Sequence, residues 1–412
     1  GGEFGPYVQS ERLDLYRRHV ELLARTGHVY PCFCTTQTLE EIRATQAAQN
    51  RIPMYDRRCR RVKRDEAERR IAAGEPHVWR MAVPERRDVV VRDLIRGEVR
   101  FETAALDDQV LLKSDGFPTY HLANVVDDHV MEISHVIRGE EWLPSTPKHV
   151  LLYEFFGWEA PQFAHLPLLL NPDRSKMSKR SGDVAVEDYR KRGILPEALV
   201  NFVALLGWHP ADEREILSLS ELVREFSLER VGKAGAVFDQ TKLLWMNAEY
   251  IKAQSDEALL EHVRGALAEL IASSGEARVK YALAVLRGGV ASYQDAVRRV
   301  REVFAPLVPA DAEMAALLDD ESARAVVQAL ETRLAALPAP LWLRFEELEA
   351  AFKQCAQEAG QAHGFKGKNL WRTVRAALTG QPQGPELARL VGIWGRERVL
   401  AELKRSLSAV LR

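Results

Sequence analysis

The sequence has little cysteine, no long apolar run and almost no net charge. Four cysteines in 412 residues exclude a disulfide framework and point to a reducing, cytoplasmic setting. No stretch approaches the roughly 18 apolar residues of a membrane span, and no secretory signal pattern opens the chain. A formal charge of -2, from 57 basic and 59 acidic residues, excludes a chain that is basic throughout. Any nucleic-acid surface must therefore be a local basic face. No Ser/His/Asp or Cys/His arrangement is evident and no fixed-period repeat appears. What remains is an ordinary globular composition, 46% apolar and 28% charged, at a length that suits about two to four domains.

The most informative stretch is His165–Arg180, HLPLLLNPDRSKMSKR. Its apolar run, Leu166–Leu170, is too short for a free-standing helix and reads as a buried strand or its exit. Asn171-Pro172-Asp173 breaks the backbone, and Lys176-Met177-Ser178-Lys179-Arg180 then gathers three cations and a hydroxyl around one apolar anchor. A loop at the carboxyl end of a strand in an open α/β sheet is where nucleotides bind. Ammonium groups there can follow a polyphosphate as its charge redistributes. Taken alone, a basic pentapeptide reads equally well as a solvated face.

Upstream, helical periodicity after Ser10 sets Leu13, Tyr16, Val20 and Leu23 on one face, with Gly27 as the stop. Residues 29–122 read as an inserted α+β region. Arg-rich helical sequence (Thr38–Ala73) precedes the strand-like segments His77–Val83, Asp88–Ile95 and Val110–Leu112. A helix starting near Pro118 would turn Tyr120 and Asn124 the same way. Ile133–Ile137 reads as a buried strand ending in Arg138-Gly139-Glu140-Glu141-Trp142, and Thr146-Pro147 as the start of a helix that Gly157 ends. Strand, loop, helix, strand, loop is half of a doubly wound sheet. Pro196 opens a helix with an apolar stripe at Leu199, Phe202, Val203 and Leu206. From about Asp256 amphipathic helices dominate, broken near Pro306–Pro309, Pro338–Pro340 and Gly380–Pro385.

With RGEEW at Arg138–Trp142 and KMSKR at Lys176–Arg180 in this order, the chain resembles the bacterial-type glutamyl-tRNA synthetases, which are class I aminoacyl-tRNA synthetases. The resemblance runs from GPYVQSER at the front to the final helices. It implies a Rossmann-type α/β catalytic region with an α+β insertion, followed by all-α carboxyl-terminal domains. The divisions expected are 1–28 (remnant of the first catalytic half), 29–122 (acceptor-end-binding insertion), 123–187 (second catalytic half), 188–255 (stem contact) and 256–412 (anticodon binding). The family's HIGH signature and Arg-x-Ser strand end do not occur, so this chain alone is expected to be incomplete for activation. Its helical region is expected to bind tRNA regardless.

The resemblance further implies ATP with Mg2+ as co-substrate, glutamate and tRNA(Glu) as partners, and a monomer. Lys176, Ser178 and Lys179 would serve catalysis. Tyr120, Asn124 and Arg138 would bind glutamate, Arg138 through the planar fork that matches a carboxylate and that lysine lacks. Glu141, Trp142, Leu168, Leu169 and Met177 would join the lysines around ATP. Outside the family, Arg138 reads as a strand-end arginine paired with Glu140 or Glu141. Lys366, Lys368, Arg372 and Arg375 surround a short helix that resembles the family's last helical domain.

Cys32-x-Cys34 and Cys59 bring three thiols into one short insertion, a spacing suited to zinc, which takes four ligands in structural sites. Where some relatives place a histidine, this chain has Arg61. Either Tyr55 completes the set, as in a shorter paralogous group, or the thiols hold no metal. Cys355 stands alone and is expected to be buried and inert. Two other readings stay open, a non-catalytic tRNA-binding remnant and the paralogue that glutamylates a modified tRNA base. The long helical region argues against the second.

Overall fold

The computed structural model describes residues 2–177 and 185–409. Ser178, Lys179 and Arg180 lie outside the described residues. The chain divides into two compact units: Gly1–Met177 with Val203–Glu215 and Ser220–Phe238, and Ser178–Phe202 with Ile216–Leu219 and Asp239–Arg412.

In the first unit, α1 (Leu13–Arg25) buries Tyr16, Val20 and Leu23, as the periodicity requires, and Gly27 follows at φ 78°. The helix is pinned at long range. The Tyr16 hydroxyl donates to Asp127 at 2.7 Å, and Arg12 Nε pairs with the same carboxylate at 2.9 Å. The insertion supplies β1 (Val29–Cys32), the polar helices α2 (Thr36–Ala48) and α3 (Arg64–Ala72), β2 (Val78–Met81), and later β5 (Val110–Leu112). These strands make an antiparallel sheet with β2 in the centre. Helix α2 buries no residue at all, which suits its weak apolar pattern.

The second sheet has the order β4-β3-β7-β6, from β3 (Asp88–Asp93), β4 (Gly97–Glu102), β6 (His135–Gly139) and β7 (Gln162–Leu166). Strands β6, β7 and β3 run parallel, while β3 and β4 form a hairpin. That hairpin falls within residues 29–122, yet it extends the sheet that carries the site. Two helices pack here, α4 (Tyr120–Val130) and α5 (Thr146–Phe156), burying Leu122, Val125, Val126, Leu151 and Leu152 against Val89 and Phe163. Helix α5 ends at Gly157, φ 71°, a left-handed position that glycine takes without strain.

The run Leu166–Leu170 is not one strand. Pro167 lacks the N–H a ladder needs, so β7 ends at Leu166, and Leu169–Leu170 (β8) pairs with Ala236–Val237 (β9) in a separate parallel ribbon. Leu169 is correspondingly exposed. Helix α5 starts at Thr146 as expected; Ser145 holds the cap position, and the Thr146 hydroxyl donates to the Trp142 carbonyl.

The second unit is helical from Asp256 to Ala409, with no strand among the described residues. Its core gathers Val326, Leu330, Trp342, Leu348, Phe352, Val374 and Val391. Ser255, Ser292, Asp311 and Asp320 each cap a helix by accepting a backbone N–H, which meets donors the first turn leaves free. The breaks fall at the three proline- and glycine-rich stretches. In the earlier helix Pro196–Leu205, Phe202 is buried and Val203 exposed.

Candidate active site

Arg138 is the penultimate residue of β6, directly opposite His165 of β7. The strand delivers it to the carboxyl edge of a parallel sheet, where the first turns of α4 and α5 converge. Its guanidinium is held on three sides. Nε donates to His165 Nε2 at 3.1 Å, one terminal nitrogen to the Tyr120 hydroxyl at 3.1 Å, and the other to Thr146 Oγ1 at 2.9 Å and His149 Nδ1 at 3.3 Å. Trp142 lies alongside, its ring 5.8 Å from the guanidinium carbon and 4.5 Å from the Tyr120 ring.

Among the described residues no carboxylate touches Arg138. Glu140 pairs with Arg96 at 2.7 Å and accepts the Leu168 N–H, while Glu141 pairs with Lys176 at 3.5 Å. Both acids that could have made Arg138 a structural strand-end residue are engaged elsewhere. Of five guanidinium N–H donors, one N–H of the Tyr120-bound nitrogen is left over. The Tyr120 hydroxyl accepts from Arg138 and keeps its own proton to give. Asn124, one helical turn further along α4, has a buried Oδ1 with no partner.

Two of the four acceptors around the guanidinium are imidazoles, His165 and His149, with His121 behind His149. Burial lowers all three: His165 below its ordinary value, His149 well below it, and His121 to about 4, with the Arg138 and Lys148 charges adding to the effect on His121. His149 Nε2 meets His121 Nδ1 at 3.0 Å, so the two rings form a chain leading away from Arg138. On the other side His165 Nδ1 lies 2.6 Å from Asp93 Oδ2. Burial alone would raise the Asp93 carboxyl. Backbone N–H groups of Arg96, His165 and Ile95, together with the His165 ring, hold it below the ordinary value instead.

Sequence reasoning missed Asp93, His121, Thr146, His149 and His165. They come from β3, α4, α5 and β7, and apart from Thr146 and His149, one turn apart on α5, no short spacing joins them. The faint signal available was a histidine on each of two otherwise apolar helical faces.

Leu168 and Leu169 sit beside this group with their backbones in use: Leu168 O accepts from Ala236 N and Leu169 O from Met177 N. Asn171–Ser175 forms a tight turn, with Asp173 accepting from the backbone and side chain of Ser175. The turn returns Lys176 toward Glu141, and both side chains are solvent-exposed. A Cβ on Gly139 would collide with the Glu141 carboxylate, so the glycine of RGEEW is what lets Glu141 fold back over the strand.

The three thiols do come together. Sulfurs of Cys32, Cys34 and Cys59 all lie within 4.8 Å of one another, and Cys34 Sγ is 3.5 Å from Cys59 Sγ. The Tyr55 hydroxyl sits among them, 3.3 Å from Cys32 and 3.4 Å from Cys34, and accepts from the Cys59 N–H. Hydrogen bonds from Cys59 and Tyr55, against burial, bring the Cys32 thiol down to about 4. Arg61 is exposed and takes no part. Cys355 is half-buried, and burial raises its thiol.

In the helical unit, Lys366 and Lys368 are exposed, and Arg372 pairs with Glu313. Arg375 is different. It borders a cavity of about 330 Å3 with Lys353, Trp371 and Leu387. One of its terminal nitrogens donates to Pro385 O at 2.9 Å, and the other is buried without a partner.

Comparison with known proteins places this geometry. A family model described as "tRNA synthetases class I (E and Q), catalytic domain" matches residues 2–245, and one described as "Anticodon binding domain" matches residues 251–407. The chain therefore has the catalytic fold of a class I tRNA synthetase, with an anticodon-binding domain after it. It is 44% identical to the glutamate–tRNA ligase of Alkaliphilus metalliredigens, over 98% of this chain and 82% of that one. With the glutamate–tRNA ligase of Clostridioides difficile it shares 43% identity, over 97% and 81%. A crystal structure of a glutamate tRNA ligase from Elizabethkingia meningosepticum, in complex with its amino acid, superposes with a TM-score of 0.89 at 34% identity, covering 100% of this chain and 85% of that one. The chain belongs to the glutamate–tRNA ligase family.

Proposed function

We infer that this protein is a glutamate–tRNA ligase whose glutamate pocket is built on Arg138. The observation that carries the reading is a strand-end guanidinium held only by neutral acceptors, with one N–H and the Tyr120 O–H left to give. A carboxylate fits those two donors as a pair of charge-assisted bonds. This differs from a fork made by Arg138 alone, because the other four N–H groups are engaged. We assign Asn124 to the same pocket; its buried Oδ1 lacks a hydrogen-bond partner.

The reaction needs no protein nucleophile. The glutamate α-carboxylate attacks the ATP α-phosphate, forming glutamyl-adenylate and releasing pyrophosphate. The terminal 2′-hydroxyl of tRNA(Glu) then takes the glutamyl group and AMP leaves. Catalysis is positioning and charge stabilisation. We assign Lys176 and Lys179 to the pyrophosphate, Ser178 to fixing their loop, and Glu141, Trp142, Leu168, Leu169 and Met177 to ATP, which enters with Mg2+. Since three backbone groups of Leu168 and Leu169 are already bonded, the exposed Leu169 side chain is the part offered to adenine.

The thiol cluster fits a structural zinc. Zinc–thiolate bonds near 2.3 Å in a tetrahedron require sulfurs about as far apart as Cys34 and Cys59 are, and the Tyr55 oxygen supplies a fourth donor. Bound there, the ion would tie β1 to the Tyr55–Cys59 segment. Protein prepared without chelator should carry close to one zinc, and Cys34→Ser should release it. Metal analysis that finds none assigns the thiols to packing.

For tRNA, the cavity beside Arg375 offers an unsatisfied buried N–H next to Trp371, a setting that suits a stacked base. The reading carries with it a monomeric cytoplasmic enzyme divided at 1–28, 29–122, 123–187, 188–255 and 256–412. Among the described residues no helix is long and apolar enough to cross a membrane. Charging assays with tRNA(Glu), ATP, and glutamate or glutamine test the function, with salt-dependent tRNA binding measured beside them. Salt-sensitive tRNA(Glu) binding is expected of this chain, and glutamate-dependent charging of the protein completed with a HIGH-bearing half. Preference for glutamine, or no tRNA(Glu) binding, would overturn it.

A further inference from the structure

We propose that Asp93 and His165 are positioning residues for Arg138: Asp93 fixes the His165 tautomer, and that tautomer locks the plane of the guanidinium. The inference rests on the reading of Arg138 as the glutamate-binding arginine, and it names residues that touch no substrate.

The argument is one of proton placement. Asp93 Oδ1 accepts three backbone N–H groups, from Arg96 at 2.8 Å, Ile95 at 3.0 Å and His165 at 3.3 Å. The carboxylate therefore cannot rotate, and its Oδ2 faces His165 Nδ1 at 2.6 Å. An acceptor at that distance requires Nδ1 to carry the proton. In a neutral imidazole the other nitrogen then holds a lone pair, and His165 Nε2 presents it to the Arg138 Nε–H at 3.1 Å. Thr146 Oγ1 is also 3.1 Å from Nε2, but its hydroxyl has the Trp142 carbonyl at 3.1 Å as an alternative acceptor. Asp93, Thr146 and His165 are all buried, so water does not complete or compete for these bonds. The Nε–H bond fixes the one edge of the guanidinium that the Tyr120, Thr146 and His149 contacts leave free to tilt.

The same turn secures the other side of the site. Arg96, three residues after Asp93, donates to the carbonyls of His165 at 3.2 Å and Lys233 at 2.7 Å, and pairs with Glu140. Residues 93–96 thus anchor the strand end that carries His165 and the segment leading to Leu168.

Asp93→Asn separates tautomer from packing. The three backbone donors keep the amide oxygen at the Oδ1 place, so the amide nitrogen faces His165 Nδ1 as a donor. The imidazole proton must move to Nε2, where it opposes the Arg138 Nε–H. Nitrogen NMR of the labelled imidazoles in the whole protein reads this directly. We expect His165 protonated on Nδ1 in the parent and on Nε2 in Asp93→Asn. Titration with L-glutamate should show about tenfold weaker binding in the variant, with ATP affinity unchanged. His165→Gln, whose carbonyl can reach the Nε2 place, should bind glutamate better than His165→Leu. A parent His165 protonated on Nε2 overturns the proposal even if Asp93→Asn does not fold. So does unchanged glutamate affinity in Asp93→Asn when Arg138→Lys weakens it. If Arg138→Lys leaves glutamate binding intact, the pocket assignment fails instead, and the imidazole spectrum still decides the Asp93–His165 pair.

Discussion

Arg138 and Lys176 are two cations of one unit, and their surroundings are opposite. Arg138 lies near the end of edge strand β6 and is braced by four neighbours from three elements. Lys176 follows a turn and has one exposed partner, Glu141, at 3.5 Å. An exposed pair of that length contributes about 0–1 kcal/mol. The difference matches two kinds of work. A group that must recognise a fixed carboxylate gains from being held still, because little conformational freedom remains to be lost on binding. A group that must meet charge appearing on a departing pyrophosphate gains from a loose tether.

That contrast can be broken at several points. The largest effect is expected for Lys176→Ala, which in the protein completed with a HIGH-bearing half should slow glutamyl-adenylate formation by about 10²–10³ while glutamate affinity stays put. A parallel loss of glutamate affinity would mean the two cations are not separable. Next comes Arg138→Lys, which keeps the charge but loses the fork. Glutamate binding should weaken by about 1.5–3 kcal/mol, with ATP affinity little changed in the same titrations.

The histidines around Arg138 sharpen the comparison through pH. Burial, with Lys148 and Arg138 nearby, holds the folded His121 pKa at about 4, against 6.5 ordinarily. The unfolded chain therefore binds this proton more readily between those values, and stability falls as pH drops through that window. Asp128 works in the opposite sense, its carboxyl raised to about 6 by burial and by Asp127. The measurement is accordingly a difference: denaturant melts of the parent and of His121→Gln from pH 7 to pH 4.5. The parent should lose more stability on acidification, and parallel curves would show that His121 is not held neutral by the fold. The smallest effect belongs to Glu141→Gln, which should move the melting temperature hardly at all, since only an exposed pair is lost. A large shift would place Lys176 among the braced cations after all.

Both cations were visible in the sequence, but their surroundings were not equally so. Arg138, Tyr120, Asn124 and the three thiols were legible because short spacings bring them together, on one strand end, one helical turn or one insertion. Helix α1 was legible for the same reason, its apolar residues recurring at the helical period. The cage around Arg138 was not. Asp93 and His165 lie 72 positions apart, and nothing local in DVVVRD marks its last residue as the anchor of a distant imidazole. Strand β7 was displaced because the leucines after Pro167 are more apolar than QFAHL before it, yet Pro167 lacks an N–H and ends the ladder, and the leucines beyond it pair with β9 instead. Strand β4 was missed because the turn at Asp93–Arg96 folds GEVRFE back as a hairpin, a pairing no periodicity announces.

The Asp93 carboxylate reaches Arg138 only through the width of an imidazole ring. The site thus holds its counter-ion at one remove, near enough to steady a half-buried cation and too far to quench it. With Arg138 proposed as the glutamate-binding arginine, this spacing predicts a preference for glutamate over glutamine as a matter of charge neutrality. A side-chain carboxylate completes an ion pair that the protein has left half-made. An amide of the same shape fills the same space, leaves the guanidinium uncompensated, and turns an N–H toward a group that has only N–H to offer.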